Sequence, residues 1–430
     1  MAQNNFIAGE IGRSAAARRV PVTVLTGFLG AGKTTLLNSL VNRPDMAGVA
    51  VFINELGDVG IDHHLVERID DALVILDSGC LCCTVQGDLM TALMRLHDRV
   101  ARREIPPVTR VLIETTGLAD PGPVLRALME DRMVSARYRC DGVLTVVDVT
   151  RARDQIDRHR EAMVQISMAD RLLLSKCDLA GQVERDAVER MLAALNPTAP
   201  RLALDRGAAE PADLFASGLY AVEDAPRDLN GWLGGALWRG NGGARTGVAS
   251  AMFPVLPADT PPVHGHGTHA SPHSGRVRSF VLTFETAPGW RGFSVAMGEI
   301  LSDWAGKLLR VKGLMALPGL DVPMAVQCVE DVAYAPVRLE AWPKTGPLAD
   351  GFGRLVFIGE DLTDEDEAEI RVRLARVPGD RDALRRLAGC RGLPTRNWLS
   401  ERLPLTPRAG LVSEAFVIQP RFLGEVRGHG

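Results

Sequence analysis

At 430 residues the chain is two to three times the length of an ordinary ~150-residue domain, so two folded units are expected. Its formal charge of −4 lacks the basic footprint of a dedicated nucleic-acid binder. No apolar run approaches the ~20 residues of a membrane span and the first twenty residues lack the apolar core of a secretory signal, so a soluble, cytoplasmic protein with no nucleic-acid or membrane partner is expected.

Residues 1–19 are small and polar without periodicity and read as a flexible leader. An apolar run at 20–26 ends in Gly27-Phe28-Leu29-Gly30-Ala31-Gly32-Lys33-Thr34, with Thr35 next and a helical stretch over 34–42. This is the phosphate-loop pattern in its required setting, after a strand and opening a helix. Gly27, Gly30, Ala31 and Gly32 let backbone N–H groups converge on phosphate oxygens. Lys33 reaches the β and γ phosphates, and the Thr34 hydroxyl can ligate Mg²⁺. A second strand at 49–54 leads into Asn54-Glu55-Leu56-Gly57-Asp58-Val59-Gly60-Ile61-Asp62. Its acids and glycines make a candidate switch loop, with Asp58 a candidate for the magnesium shell and for catalysis; an ordinary polar turn is the competing reading.

A strand at 72–76 precedes Asp77-Ser78-Gly79-Cys80-Leu81-Cys82-Cys83-Thr84. Three cysteines within four residues, out of an odd total of seven, suit metal or redox chemistry better than a disulfide framework. In extended backbone Cys80 and Cys82 project to one side and Cys83 to the other. Two thiolates therefore reach one ion easily and three require a bend, whereas tetrahedral Zn²⁺ or Co²⁺ takes four ligands. The remainder can come from His63, His64, water, or the same loop of a second subunit in a two-fold homodimer. Buried inert thiols are the alternative.

After a helix at 84–103, the strand at 110–114 ends in an acid and continues Glu114-Thr115-Thr116-Gly117. That is a Walker B shape with Glu in the Asp place, so Glu114 is a candidate for the Mg²⁺ shell or the attacking water, and the Gly117 amide for sensing the γ-phosphate. Helices at 121–131 and 151–168 flank a strand at 142–148. The strand at 171–175 then runs into Ser175-Lys176-Cys177-Asp178, where GTPases carry Asn/Thr-Lys-x-Asp. Asp178 would accept two hydrogen bonds from guanine and the Lys176 stem would cover the ring, while Ser175 offers a weaker polar contact than the usual Asn. The competing reading is a helix N-cap Asp beside an incidental Lys. A helix at 184–195 follows. Near-continuous apolar strands alternating with helices predict a mainly parallel sheet covered on both faces, an α/β P-loop NTPase domain over 20–224.

Residues 225–276 hold ten glycines, six prolines and His264, His266, His269 and His273, and read as a linker, with weak metal collection and a solvated spacer equally open. Over 277–377 a smaller α+β domain is expected. Strands lie at 278–285, 308–317, 325–332 and 354–358, with a helix at 292–304 and another starting at Thr363, where Thr-Asp-Glu-Asp supplies an N-cap and first-turn acids. Residues 378–430 are Arg-rich and broken by Pro and Gly, a tail with no role assigned.

Taken in order, GFLGAGKTTLLN (27–38), NELGDVGID (54–62), GCLCC (79–83), ETTGLADP (114–121) and SKCD (175–178), with KLLRVKG (307–313) and RLVFIG (354–359), resemble the CobW-like family of P-loop GTPases, regarded as metal chaperones. The resemblance covers roughly 20–200 and 277–375. It implies Mg-GTP binding and hydrolysis by the first domain. It also implies a transition metal such as zinc or cobalt on the Cys-x-Cys-Cys loop, and a C-terminal domain that helps meet a client metalloprotein or metal-inserting enzyme. The expected function is a GTP-dependent metallochaperone. A metabolic P-loop kinase with structural cysteines, or a metal buffer that uses GTP only for stability, are the competing readings.

Overall fold

The computed structural model describes residues 19–41, 43–53, 74–77, 85–215, 229–233, 276–387 and 392–400. The first unit runs β1 (Val20–Thr26), α1 (Lys33–Val41), β2 (Val49–Ile53), β3 (Val74–Asp77), α2 (Val85–Ala101), β4 (Arg110–Glu114), α3 (Gly122–Glu130), α4 (Arg132–Ser135), β5 (Tyr138–Asp148), α5 (Ala152–Arg158), α6 (Arg160–Met168), β6 (Arg171–Ser175), α7 (Gln182–Leu195), β7 (Arg201–Ala203) and α8 (Pro211–Leu214). Its seven strands pair in the order β3-β2-β4-β1-β5-β6-β7, and every pairing is parallel. The predicted α/β class holds because strands such as β1, β4 and β6 are buried along nearly their whole length, which requires helices on both faces.

One register row crosses this sheet at its C-terminal edge. Asp77 of β3 pairs with Ile53 of β2, Ile53 with Glu114 of β4, and Glu114 with Leu25 of β1. The end of β3 therefore lies two strand spacings, roughly 10 Å, from Glu114.

Two elements differ from expectation. The single helix expected over 151–168 is two, because His159 is extended (φ −128°, ψ 114°) between α5 and α6. β5 starts four residues early: its polar start conceals a strand in which Asp141 is fully buried and paired with Arg110.

Within the expected linker, α9 (Leu229–Trp232) packs, with Trp232 and Leu233 buried in the main core. Two large apolar side chains anchor the chain there, although Gly and Pro dominate the composition around them. The four linker histidines lie outside the described residues.

The second unit comprises β8 (Val277–Phe284), α10 (Trp290–Asp303), β9 (Leu308–Met315), β10 (Met324–Val329), β11 (Val332–Ala333), β12 (Val337–Arg338), β13 (Gly353–Glu360), α11 (Asp364–Ala375) and α12 (Asp380–Leu387). Its sheet runs β11-β10-β9-β13-β8, with β12 on β10, and is antiparallel. The N-cap read at Thr363 forms, and forms as a capping box: Thr363 Oγ1 accepts from Asp366 N, and Asp366 accepts from Thr363 N. The expected tail departs from its reading, because part of it belongs to this unit. Asp380 accepts the N–H groups of Arg291 and Gly292 at 3.0 and 3.1 Å, capping α10, and buried Trp398 stacks on Trp290, whose Nε1 donates to the Trp398 carbonyl at 2.7 Å. An Arg-rich surface hid those two contacts in the sequence.

The two units share a core. Val277, Leu309, Leu314, Ala325 and Ile358 join the cluster that contains Val22, Ile113 and Leu172. Polar ties cross the same boundary: Arg126 of α3 to Glu330 (2.9 Å) and Asp331, Arg160 of α6 to both Glu360 oxygens, and Asp170 to Arg310 and Lys312. Among the described residues no helix is long and apolar enough to cross a membrane.

Candidate functional site

The turn from β1 into α1 needs glycine where it passes the neighbouring strand. Gly27 has φ +142°, and a Cβ there would stand 2.4 Å from the Val146 carbonyl oxygen. The loop thus lies flush against β5, and its backbone turns toward the N-terminus of α1, where free amides and the helix dipole favour phosphate. Lys33 is 9% exposed and its Nζ donates to the Gly27 carbonyl at 2.8 Å, which folds the ammonium back over the loop. Burial lowers its pKa from the ordinary value, while the negative charge of Glu114 acts in the opposite sense. A phosphate anion arriving at the loop would act in the same sense as Glu114, favouring the ammonium.

Glu114, 5% exposed at the end of β4, accepts from Thr34 Oγ1 at 3.3 Å. A hydroxyl and a carboxylate at that separation are hard oxygen donors that fit Mg²⁺. Gly117 lies against the loop on its other side, since a Cβ there would meet the Leu29 backbone at 2.7 Å. The Thr116 carbonyl accepts from Ala119 N at 3.1 Å, closing a tight turn.

The tetrapeptide Ser175–Asp178, expected from the sequence to meet the base, is tied to the phosphate loop by its first two residues. Ser175 Oγ donates to the Ala31 carbonyl at 2.6 Å, with the Val147 carbonyl at 3.2 Å, so this short side chain braces the phosphate loop instead of facing a base. Lys176 adopts a left-handed φ of +55° and donates to the Gly30 carbonyl at 2.8 Å and to Asp148 at 2.6 Å. Its side chain therefore links the end of β6 to the phosphate loop and to the end of β5. Asp178 is exposed, free to meet a ligand from solvent.

Sequence reasoning passed over Asp148, a buried acid that closes β5 and anchors both Lys176 and the Thr150 hydroxyl (2.6 Å). The available signal was an acid at the C-terminal end of an apolar strand, the same signal that singled out Glu114. It also passed over the turn after β7, closed by reciprocal Asp205 and Ala208 backbone bonds. There Gly207, at φ +84°, comes within 2.9 Å (Cβ position) of the Thr35 methyl.

The structure thus brings together Gly27, Gly30, Ala31, Gly32, Lys33, Thr34, Thr35, Glu114, Gly117, Ser175 and Lys176, with Asp178 at the rim. Asp58, Cys80, Cys82 and Cys83 lie outside the described residues. Among the described residues no group of three or more His, Cys, Asp or Glu could hold a metal ion.

Asp178→Asn is expected to relax guanine preference, because an amide accepts with one atom where the carboxylate accepts with two. Losing one charge-assisted bond amounts to about 2 kcal/mol, roughly 30-fold in GTP over ATP. Competition of the two nucleotides against a fluorescent GDP, unchanged by the substitution, would remove Asp178 from base recognition.

Comparison with known proteins agrees with this geometry. Residues 21–203 match the model of the CobW/HypB/UreG nucleotide-binding domain, and residues 277–377 that of the cobalamin synthesis protein cobW C-terminal domain. The chain is 30% identical to the zinc chaperone YjiA of Escherichia coli (strain K12) over 356 residues, 83% of this chain and 98% of that one. It is 27% identical to the zinc chaperone CobW of Sinorhizobium sp, covering 84% of this chain and 97% of the other. A solved structure of the Zn(II)-bound YjiA GTPase from E. coli superposes with a TM-score of 0.58 at 27% identity, covering 84% of this chain and 99% of that one.

Proposed function

The chain belongs to the CobW/HypB/UreG family, with the C-terminal domain of the cobalamin synthesis protein cobW type, and from that premise we propose that it is a GTP-dependent metallochaperone whose thiolate loop carries the metal. GTP hydrolysis is its enzymatic activity, and zinc is the cargo its relatives' names favour. Cobalt is a second cargo suited to the same donors.

In this reading Gly27, Gly30, Ala31, Gly32, Thr35 and Lys33 hold the phosphates, and Ser175 and Lys176 keep that loop in shape. Asp178 reads the base. Thr34 and Glu114, with Asp58 from the loop after β2, would hold Mg²⁺, which when bound neutralises charge between the β and γ phosphates. Glu114 also orients the attacking water, and the Gly117 amide meets the γ-phosphate. Cys80, Cys82 and Cys83 take the transition metal as thiolates, either alone or with the same loop of a second copy in a homodimer. Hydrolysis loosens that hold, so that metal passes to a client metalloprotein or metal-inserting enzyme.

The observation that carries the proposal is the register row. The thiolate loop departs from Asp77 and the switch segment from Ile53, side by side with Glu114. Both segments therefore start within about two strand spacings of Glu114, near enough for the γ-phosphate to bias the thiolate loop. Linkage requires the coupling to be reciprocal, typically roughly 1–3 kcal/mol, or about 5- to 150-fold. Titrating Zn²⁺ and Co²⁺ into the nucleotide-free, GDP and GTP-analogue forms should show that difference. Replacing Cys80 and Cys82 by Ser should abolish it while sparing GTP binding. Equal metal affinity in all three forms would leave the passive buffer or the kinase reading standing.

A further inference from the structure

Helix α6 is buried on every side from Ala162 to Met168, and Gln165, fully enclosed, is its one long polar side chain in that stretch. A buried carboxamide must find partners. Gln165 Nε2 donates to the Gly117 carbonyl at 3.2 Å and to the Ala119 carbonyl at 2.9 Å. Both carbonyls belong to the tight turn that Thr116 and Ala119 close. The helix is itself pinned to the central sheet, because the Gln165 carbonyl accepts from Thr145 Oγ1 at 2.8 Å. On the far side of the turn Gly117 rests on Leu29, whose carbonyl accepts from Gln155 Nε2 of α5 at 3.4 Å.

Among the described residues Gln165 Oε1 has no hydrogen-bond partner. That buried acceptor is a cost, and an apolar side chain of equal length would fill the space without it. What the amide adds at this position is the pair of bonds to the turn.

We propose that Gln165 is a positioning residue for GTP hydrolysis, holding the 117–119 turn so that the Gly117 N–H is set for the γ-phosphate before nucleotide arrives. The inference rests on the reading of Gly117 as γ-phosphate sensor. GDP makes no use of the turn, so Gln165 acts on turnover and leaves diphosphate binding alone.

The test is single-turnover and steady-state hydrolysis by the full chain carrying Gln165→Met, which keeps length and volume and removes both donors. A kcat about 30-fold lower is expected, the loss of roughly two hydrogen bonds, with GDP affinity within about twofold of the unmodified protein. If Met is not tolerated, Gln165→Leu, which likewise lacks both donors, is read by the same split. Unchanged kcat, or GDP affinity falling in step with kcat, overturns the proposal, since the first means no positioning and the second means only structural support. Hydrogen exchange at the Gly117 amide of the unmodified chain separates the sensor reading from the assignment to Gln165. If a GTP analogue protects that amide no better than GDP does, the sensor reading falls and this inference with it; if the analogue does protect it while Gln165→Met leaves turnover intact, only the assignment to Gln165 is lost.

Discussion

Lys33→Ala is expected to weaken GTP binding by about two to four orders of magnitude and GDP binding by about one to two. The ammonium would make charge-assisted bonds to the β and γ phosphates of GTP but only to the β phosphate of GDP, each worth roughly 1.5–3 kcal/mol in a desolvated site. Its place is prepared: it lies buried over the loop, tied to the Gly27 carbonyl, its charge opposed by burial and sustained by Glu114. Against this loss, the effect on folding is one backbone-directed bond, about 1 kcal/mol. The variant should therefore stay folded while losing its ligand. Titration of a fluorescent GDP, alongside the thermal midpoint of the apo protein, separates the two. Affinity unchanged within a few-fold would refute the phosphate-loop assignment.

The largest effect on stability is expected at Asp170, where the two units meet. Its carboxylate, fully buried, accepts from Val143 N at 3.0 Å, lies 2.8 Å from Lys312 Nζ and pairs with Arg310; both cations are also fully buried. Arg310 has further acceptors in the Met168 carbonyl (3.2 Å) and Gln327 (3.0 Å), and Lys312 stands 5.4 Å from the centre of the Trp232 ring. Asp170→Asn leaves two enclosed cations without their anion. Breaking a buried pair from one side typically costs about 3 kcal/mol or more, which lowers the midpoint of a unit this size by about 6 °C or more. The exposed pair Arg43 and Glu210 supplies the contrast: Glu210→Gln should leave the thermal midpoint nearly unchanged, because water screens the pair. Equal, small effects from both substitutions would show that the interdomain carboxylate is not a structural keystone.

The same cluster predicts a pH dependence. Desolvation lowers the Lys312 pKa to about 8, against attraction from Asp170. In the unfolded chain the ammonium keeps its proton to about 10.5. Between these values the unfolded state binds more protons, so the Lys312 contribution to stability rises with pH from about 8 upward. Without Asp170 the folded-state value falls further and the rise begins at lower pH. Denaturation midpoints of both proteins across this range read the shift.

The chemistry of this protein was legible because phosphate binding is local. Gly27 to Thr34 must be contiguous for amides to converge on one anion, and a strand must end in Glu114 to place a carboxylate at the sheet edge. The parallel α/β class followed from apolar runs at β1, β4 and β6, since a strand buried on both faces leaves no polar alternation. The N-cap at Thr363 was equally local, a contact across three residues. What only the tertiary structure decided was long-range. Ser175 looked like a weakened base contact, yet the meeting of β6 with the β1 loop makes it a brace on Ala31, 144 positions away. Asp148 acquires its role only when β5 and β6 lie side by side. Trp232 sits in a segment whose composition reads as spacer, and Asp380 and Trp398 in one that reads as tail; each gains its place from a cavity formed by distant elements. Gln165 holds a turn 46 to 48 positions earlier in the chain. Residue type and spacing encode chemistry carried by neighbouring residues, whereas the partners of a buried polar side chain are set by which elements pack together.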